Sequence, residues 1–174
     1  RGFTLSADFY RTVFDNQIIT DLNNSVDKVR FYNLDGKSWA NNYQVELKFA
    51  PIDRFDITTA IRFSDVKADI NNQFQKVPYV NRFKGLITTS YATNFNKWQF
   101  DFTTQFNGDM RIPSTKANPE QYQRRDKSPV YALMNAQVTK RFKIWEIYVG
   151  AENISNYTQK NPIIGATDPF GEYF

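Results

Sequence analysis

Gly36, Lys37 and Ser38, in the stretch "LDGKSW", end like a phosphate-binding loop, whose backbone amides cradle phosphate while the lysine neutralises it. The full pattern needs glycine where this chain has Phe31, and neither a buried parallel strand before it nor a helix after it is evident. Asp35-Gly36 reads instead as a turn. In "DLNNSVDK", Asp21, Asn23, Ser25 and Asp27 place oxygen side chains at alternate positions, as in a calcium loop, but the glycine at the sixth place and the glutamate at the twelfth are missing. We therefore expect no metal and no cofactor. With 0 His and 0 Cys, the chain lacks the commonest general base and any thiolate. Its carboxylates are scattered along strand faces with no pair set for acid/base work, so no catalytic residue is assigned and no enzyme activity is expected. Asn153-Ile154-Ser155 and Asn156-Tyr157-Thr158 match a glycosylation triplet that is frequent by chance. The candidates that remain are for ligand contact: Arg111, Tyr122, Arg124 and Arg125, in a loop made basic also by Lys116 and Lys127.

Charge narrows the partners. Lys+Arg 22 against Asp+Glu 18 gives a net charge of +4, too mild and too evenly spread for nucleic acid. The chain is polar on average, yet 17% of its 174 residues are aromatic, 16 of them Phe. Disordered segments are poor in aromatics, whereas strands with one apolar and one wet face combine the two properties. No apolar run reaches the 18 or so residues of a membrane helix. "RGFTLSADFY" is neither a start methionine nor a signal peptide, so we expect the N-terminus to be a cut end.

Strict alternation of apolar and polar residues dominates and predicts seven strands. Phe3 to Tyr10 is the first, Tyr43 to Phe49 the second and Phe55 to Ser64 the third. Arg82 to Tyr91 is less regular because Leu86 falls on the wrong face; Trp98 to Phe106, Val130 to Thr139 and Trp145 to Glu152 complete the set. The connections alternate too. Tight turns sit at Pro51 to Arg54, Thr93 to Asn96 and Lys140 to Lys143, and long polar segments at Asp15 to Asn42, Asp65 to Pro78, Asn107 to Pro129 and from Asn153 onward.

Short turns at one end and long loops at the other, on strands near the ~9 to 11 residues that cross a bilayer tilted, are the plan of an antiparallel outer-membrane β-barrel. The non-apolar face carries Asp8, Glu46, Lys48, Arg62, Arg82, Lys84, Asp101 and Glu146 and wants water. Two aromatic girdles are expected, with Phe49, Phe55, Tyr91, Phe95, Trp98, Phe142 and Trp145 beside the short turns and Phe14, Phe63, Tyr79, Phe106 and Tyr131 beside the long loops. A soluble lipocalin-like barrel is the alternative for a chain of this length, and it requires the reverse, large apolar residues inside and charges outside. A surface adhesin or secreted β-sandwich is a third reading.

The ending "YVGAENISNYTQKNPIIGATDPFGEYF" resembles the C-terminal region of TonB-dependent outer-membrane receptors, in particular those of Bacteroidetes-type bacteria. The resemblance continues upstream through "GKSWANNYQVELKF", "AIRFSDVKAD", "KWQFDFTTQFNGDMRIPST" and "YALMNAQVTKRFKIWEIYVG". It implies the C-terminal portion of a 22-stranded barrel closed around a plug, located in the bacterial outer membrane and driven by the TonB complex. The imported nutrient would be a siderophore, cobalamin, a glycan or similar. Residues 1–174 would be a partial barrel domain, without plug and with the final strand missing after Phe174. The partners it implies are outer-membrane lipid, the remaining barrel and plug of the same receptor, TonB through that plug, and a surface lipoprotein.

Overall fold

The structure, a computed structural model, describes residues 2–21, 29–70, 73–160, 164–165, 167–168 and 170–171. Its strands, in chain order, are β1 (Phe3–Asp15), β2 (Ile18–Asp21), β3 (Arg30–Asn33), β4 (Lys37–Ile52), β5 (Phe55–Ile70), β6 (Gln73–Lys76), β7 (Phe83–Ala92), β8 (Trp98–Asn107), β9 (Tyr131–Arg141) and β10 (Glu146–Ala151). Seven of them form one sheet in the order β1-β4-β5-β7-β8-β9-β10, antiparallel throughout, with β6 paired to β5 off that path and β2 paired to β3 in a separate ribbon. The seven alternating segments of the sequence are these seven strands.

Two long connections are shorter than the alternation suggests. β1 runs on to Asp15, opposite Lys37, so the expected loop from Asp15 to Asn42 reduces to a segment holding β2 and β3. β5 likewise runs to Ile70, and β6 folds back on it with Lys67 opposite Lys76. Both extensions lie at the long-loop end, where alternation stops because water can reach both sides of the sheet. Asn23, Ser25 and Asp27, weighed as calcium ligands, lie outside the described residues, as do Asn161 to Ile163 and the terminal Glu172 to Phe174. Lys37 and Ser38 open β4, and the buried Ser38 hydroxyl donates to Gln17 Oε1, a strand start rather than a phosphate loop.

Register sorts the side chains onto two faces. Phe9, Tyr43, Phe63 and Phe83 form one row across four strands, with ring centroids 4.8 Å apart for Phe9 and Tyr43 and 5.2 Å apart for Phe63 and Phe83. Phe55, Tyr91, Phe100, Val138 and Val149 form a second row nearer the short turns. Between them lie Leu47, Ile57, Ile61, Ile87, Phe102 and Phe106. From Phe55 to Phe63 the strand advances roughly 26 Å at ~3.3 Å per residue, or roughly 20 Å along the normal at ~40° tilt, close to the ~25 Å apolar band of a membrane barrel. Phe14 and Tyr131, expected in the outer girdle, fall on the other face: Tyr131 is opposite Asn107 and stacks on Tyr157 at 4.6 Å.

No second layer of described residues packs on this apolar face. Among the described residues the buried apolar side chains are Ile19, Leu34, Ala68 and Ile70, with Val77 against them, a small cluster where the β2–β3 ribbon meets the outer end of β5. Phe63, Phe100 and Phe102 stay exposed.

The tight turns explain themselves locally. Arg54 has φ 65° in the two-residue turn joining Ile52 to Phe55, and Phe95 and Asn96 have φ 57° and 52° in the next. In the third, the Phe142 amide donates to the Trp145 carbonyl at 2.8 Å and the two rings stack at 3.8 Å. After β10, Asn153 (φ 48°) uses its side chain as a brace: Oδ1 accepts from the Tyr157 amide at 3.0 Å and Nδ2 donates to the Tyr157 carbonyl at 2.9 Å. The "AENISNY" stretch is thus a built turn, tolerant of left-handed backbone because asparagine is.

Candidate functional site: the polar face and the outer loop cluster

Seven strands present their second set of side chains to the opposite face, which is hollowed between β8 and β10 by a recess of about 570 Å³ lined in part by Asp101, Asn135, Gln137 and Tyr148. Near the short turns this face is a closed network. Ser90 Oγ donates to Asp101 Oδ1 at 2.6 Å, and Gln99 Nε2 donates to both Asp101 oxygens at 2.9 and 3.0 Å. Arg141 Nη2 donates to Gln99 Oε1 at 2.7 Å while its Nε donates to Glu146 at 3.1 Å. Lys48 pairs with Glu46 at 3.0 Å, and Thr88 and Thr103 bond across strands at 3.2 Å. Each cation here has its acid.

The other end is built differently. Asp8, Gln44, Arg62, Lys84, Asn107 and Tyr131 share one row across β1, β4, β5, β7, β8 and β9, so that Arg62 lies directly opposite Lys84. The Ser64 amide donates to the Arg82 carbonyl at 2.9 Å, which continues the β5–β7 pairing and keeps Arg82 on the face of Lys84.

Beyond this row the two arms of the loop from Asn107 to Pro129 extend β8 and β9 outward. Gly108 N donates to Phe83 O and Tyr79 N to Arg111 O, both at 2.9 Å; Arg111 bridges Lys127, and Ser128 N donates to Met110 O at 2.9 Å. Gly108 has no substitute here, since a Cβ would stand 2.9 Å from the Phe83 carbonyl oxygen. These arms bring Arg82, Asp109, Arg111 and Lys127 together. Lys127 Nζ lies 2.7 Å from Asp109 Oδ2. Its hydrogen bond is the main reason the Asp109 carboxyl stays below the usual aspartate value; burial, next in size, pushes the other way, and the Lys127 charge, the Asp109 backbone amide and the Arg82 charge each add a smaller lowering. A cleft of about 360 Å³ opens beside them, edged by Lys76, Arg111, Lys116, Asp126 and Lys127, with Lys116 and Asp126 at 3.4 Å.

Of the residues singled out for ligand contact, Arg111 lines this cleft and donates from Nη1 to the Lys76 carbonyl at 2.7 Å. Tyr122 and Arg124 are held by other bonds, a helical turn at Glu120–Tyr122 and a 2.7 Å bond from the Arg124 amide to the hydroxyl of buried Thr115. Arg125 is exposed. The alignment of Arg62 with Lys84 was missed in the sequence, because alternation gives each residue its face but not its partner.

The family model described as TonB dependent receptor-like, beta-barrel matches residues 1–154. No curated protein matches. Among solved structures the chain is similar to the ferric-catecholate import receptor Fiu from E. coli K12 in its closed form, at 12% identity and a TM-score of 0.63, over 90% of this chain and 21% of that one. It is similar to the siderophore receptor PiuA from Acinetobacter baumannii at 15% identity and TM-score 0.57, over 89% and 22%. With the ferric citrate transporter FecA in its unliganded form the values are 15% and 0.59, over 89% and 25%. The chain thus spans about a fifth to a quarter of these receptors' length, and at these identities the likeness is one of fold.

Proposed function

The chain belongs to the TonB-dependent receptor-like β-barrel family of the bacterial outer membrane, and from that premise we propose that residues 1–174 form one wall segment of a receptor that imports a scarce nutrient. Cargo passes along the polar face while the apolar rows meet lipid. The observation that carries this reading is the register: one row-by-row apolar face of bilayer height, backed by a charged face. Other staves of the same receptor close the sheet, because an unpaired backbone group in hydrocarbon costs several kcal/mol. A plug fills the lumen and relays the pull of the inner-membrane TonB complex, and the loop end is where a surface lipoprotein would dock. Iron chelates head the cargo classes, followed by cobalamin and glycans, since the similar structures carry siderophore and ferric citrate receptors in their names.

The test is accumulation of labelled ferric citrate, a ferric catecholate, cobalamin and an oligosaccharide by cells making the full receptor, with and without an active TonB complex. Uptake of one of them that stops without TonB is expected. A receptor correctly inserted in the outer membrane that moves none of them in a TonB-dependent way overturns the proposal.

A further inference from the structure

Resting on that transport reading, we infer that the outer half of the lumenal face holds an anion site at Arg62, Lys84 and Arg82, and that the cargo presents clustered anionic oxygens rather than a neutral surface. Arg62 and Lys84 are register partners on neighbouring strands, which brings their Cβ atoms within about 5 Å and makes like charges destabilising. Neither side chain makes an ion pair or hydrogen bond among the described residues. Asp8, the acid in their row, stands beyond Gln44, two strands from Arg62, at about 10 Å, close to a Debye length in ordinary salt; Glu46, diagonal to Arg62 one row inward, is bonded to Lys48. Arg82 adds a third charge on the same side, and the nearby acid Asp109 is already bonded to Lys127.

The contrast with the inner half gives the site a direction. There Glu46, Asp56, Asp101 and Glu146 face Lys48 and Arg141, and both cations are engaged with acids. At the outer half Arg62, Arg82, Lys84, Arg111, Lys116 and Lys127 stand against Asp8, Asp109 and Asp126, with Asp65 close by and bonded to Lys67. A recessed wall of one sign concentrates solutes of the other, and an arginine fork beside a lysine suits carboxylate, phosphate or the oxygens of an anionic metal chelate. The anion enters at the cationic rim and meets an acidic floor, so it is held near the mouth.

The intact receptor, plug included, is titrated calorimetrically in detergent with citrate, with inorganic pyrophosphate and with maltose, at two salt concentrations. Citrate or pyrophosphate is expected to bind, more weakly at high salt, and maltose not at all. Replacing Arg62→Gln together with Lys84→Gln should weaken binding about tenfold or more. The charge-preserving exchange Arg62→Lys with Lys84→Arg should keep most of it. Absence of anion binding by the unaltered receptor, as when one of its own acids fills the site, overturns the inference, and so does binding indifferent to the double replacement. The transport reading is judged apart, by TonB-dependent accumulation: a receptor that accumulates cargo yet binds no anion loses only the site.

Discussion

Leu86 and Ile87 are neighbours in the chain, alike in size and almost equally exposed, at 36% and 38%. Their rows differ. Leu86 lies between Ala60 and Gln105 on the charged face, whereas Ile87 lies between Thr59 and Thr104, one row from Phe106 on one side and from Phe102 on the other, and two from Phe100. Exposure therefore does not distinguish the two faces of this sheet, and register does. The comparison teaches that a residue here is selected by the solvent its row meets, and that burial within the chain, the usual guide to stability, carries little information.

That comparison can be broken outright. In the full receptor refolded into vesicles, Ile87→Arg should cost about 2–4 kcal/mol, as a cation does at mid-membrane, while Leu86→Arg should stay within about 1 kcal/mol. Urea titration of both variants measures this, and equal costs would mean that the faces are misassigned.

Next in size is Gly108→Ala, which places a methyl group against the Phe83 carbonyl where the outer loop rejoins the sheet. We expect a loss of about 1–3 kcal/mol, visible in the same titration and as faster amide exchange at residues 79–83. An unchanged midpoint would show that the loop arms are not clamped to the sheet.

At the inner end, Arg54→Gly should stabilise by about 0.5–1 kcal/mol, because Arg54 holds a left-handed φ of 65° that glycine adopts freely. Destabilisation would show that the Arg54 side chain, and not its backbone, sets the turn.

The smallest effect belongs to the Asp109–Lys127 pair. Its partners are partly exposed, so Asp109→Asn should change stability by less than about 1 kcal/mol. The sign with pH is fixed: the folded carboxyl is held low, so the contribution is complete above the ordinary aspartate range and is lost as pH falls through the lower folded value. Protection of the Met110 and Ser128 amides, taken relative to their intrinsic exchange rates from pH 6 down to 3, should drop in the unaltered protein below about pH 4, and the Asn variant should lack that step.

Much of this was legible in the sequence. Period-two alternation gave seven strands and their faces because each crosses a bilayer with oil on one side and water on the other, and the tight turns followed from what lay between. β2, β3 and β6 were not legible: each has 4 residues, too few to show a period, and beyond the membrane no pressure maintains one. The same reason hid the outer thirds of β4 and β5, where "SWANN" and "DVKAD" read as loop. Of the candidate site, the basic character of the loop was visible through Arg111, Arg124 and Lys127. The alignment of Arg62 with Lys84 was not, since it depends on how a hairpin is staggered across a connection whose length the residues alone leave open.

Along its main path the large sheet takes its strands in chain order, with β6 folded back on β5. A wall assembled in this way is tailored rather than threaded: hairpins can be added or removed to change its circumference, and an outer loop can be exchanged, while the neighbouring seams keep their stitches. The loop end of such a wall can thus change while its lipid seam stays as it was.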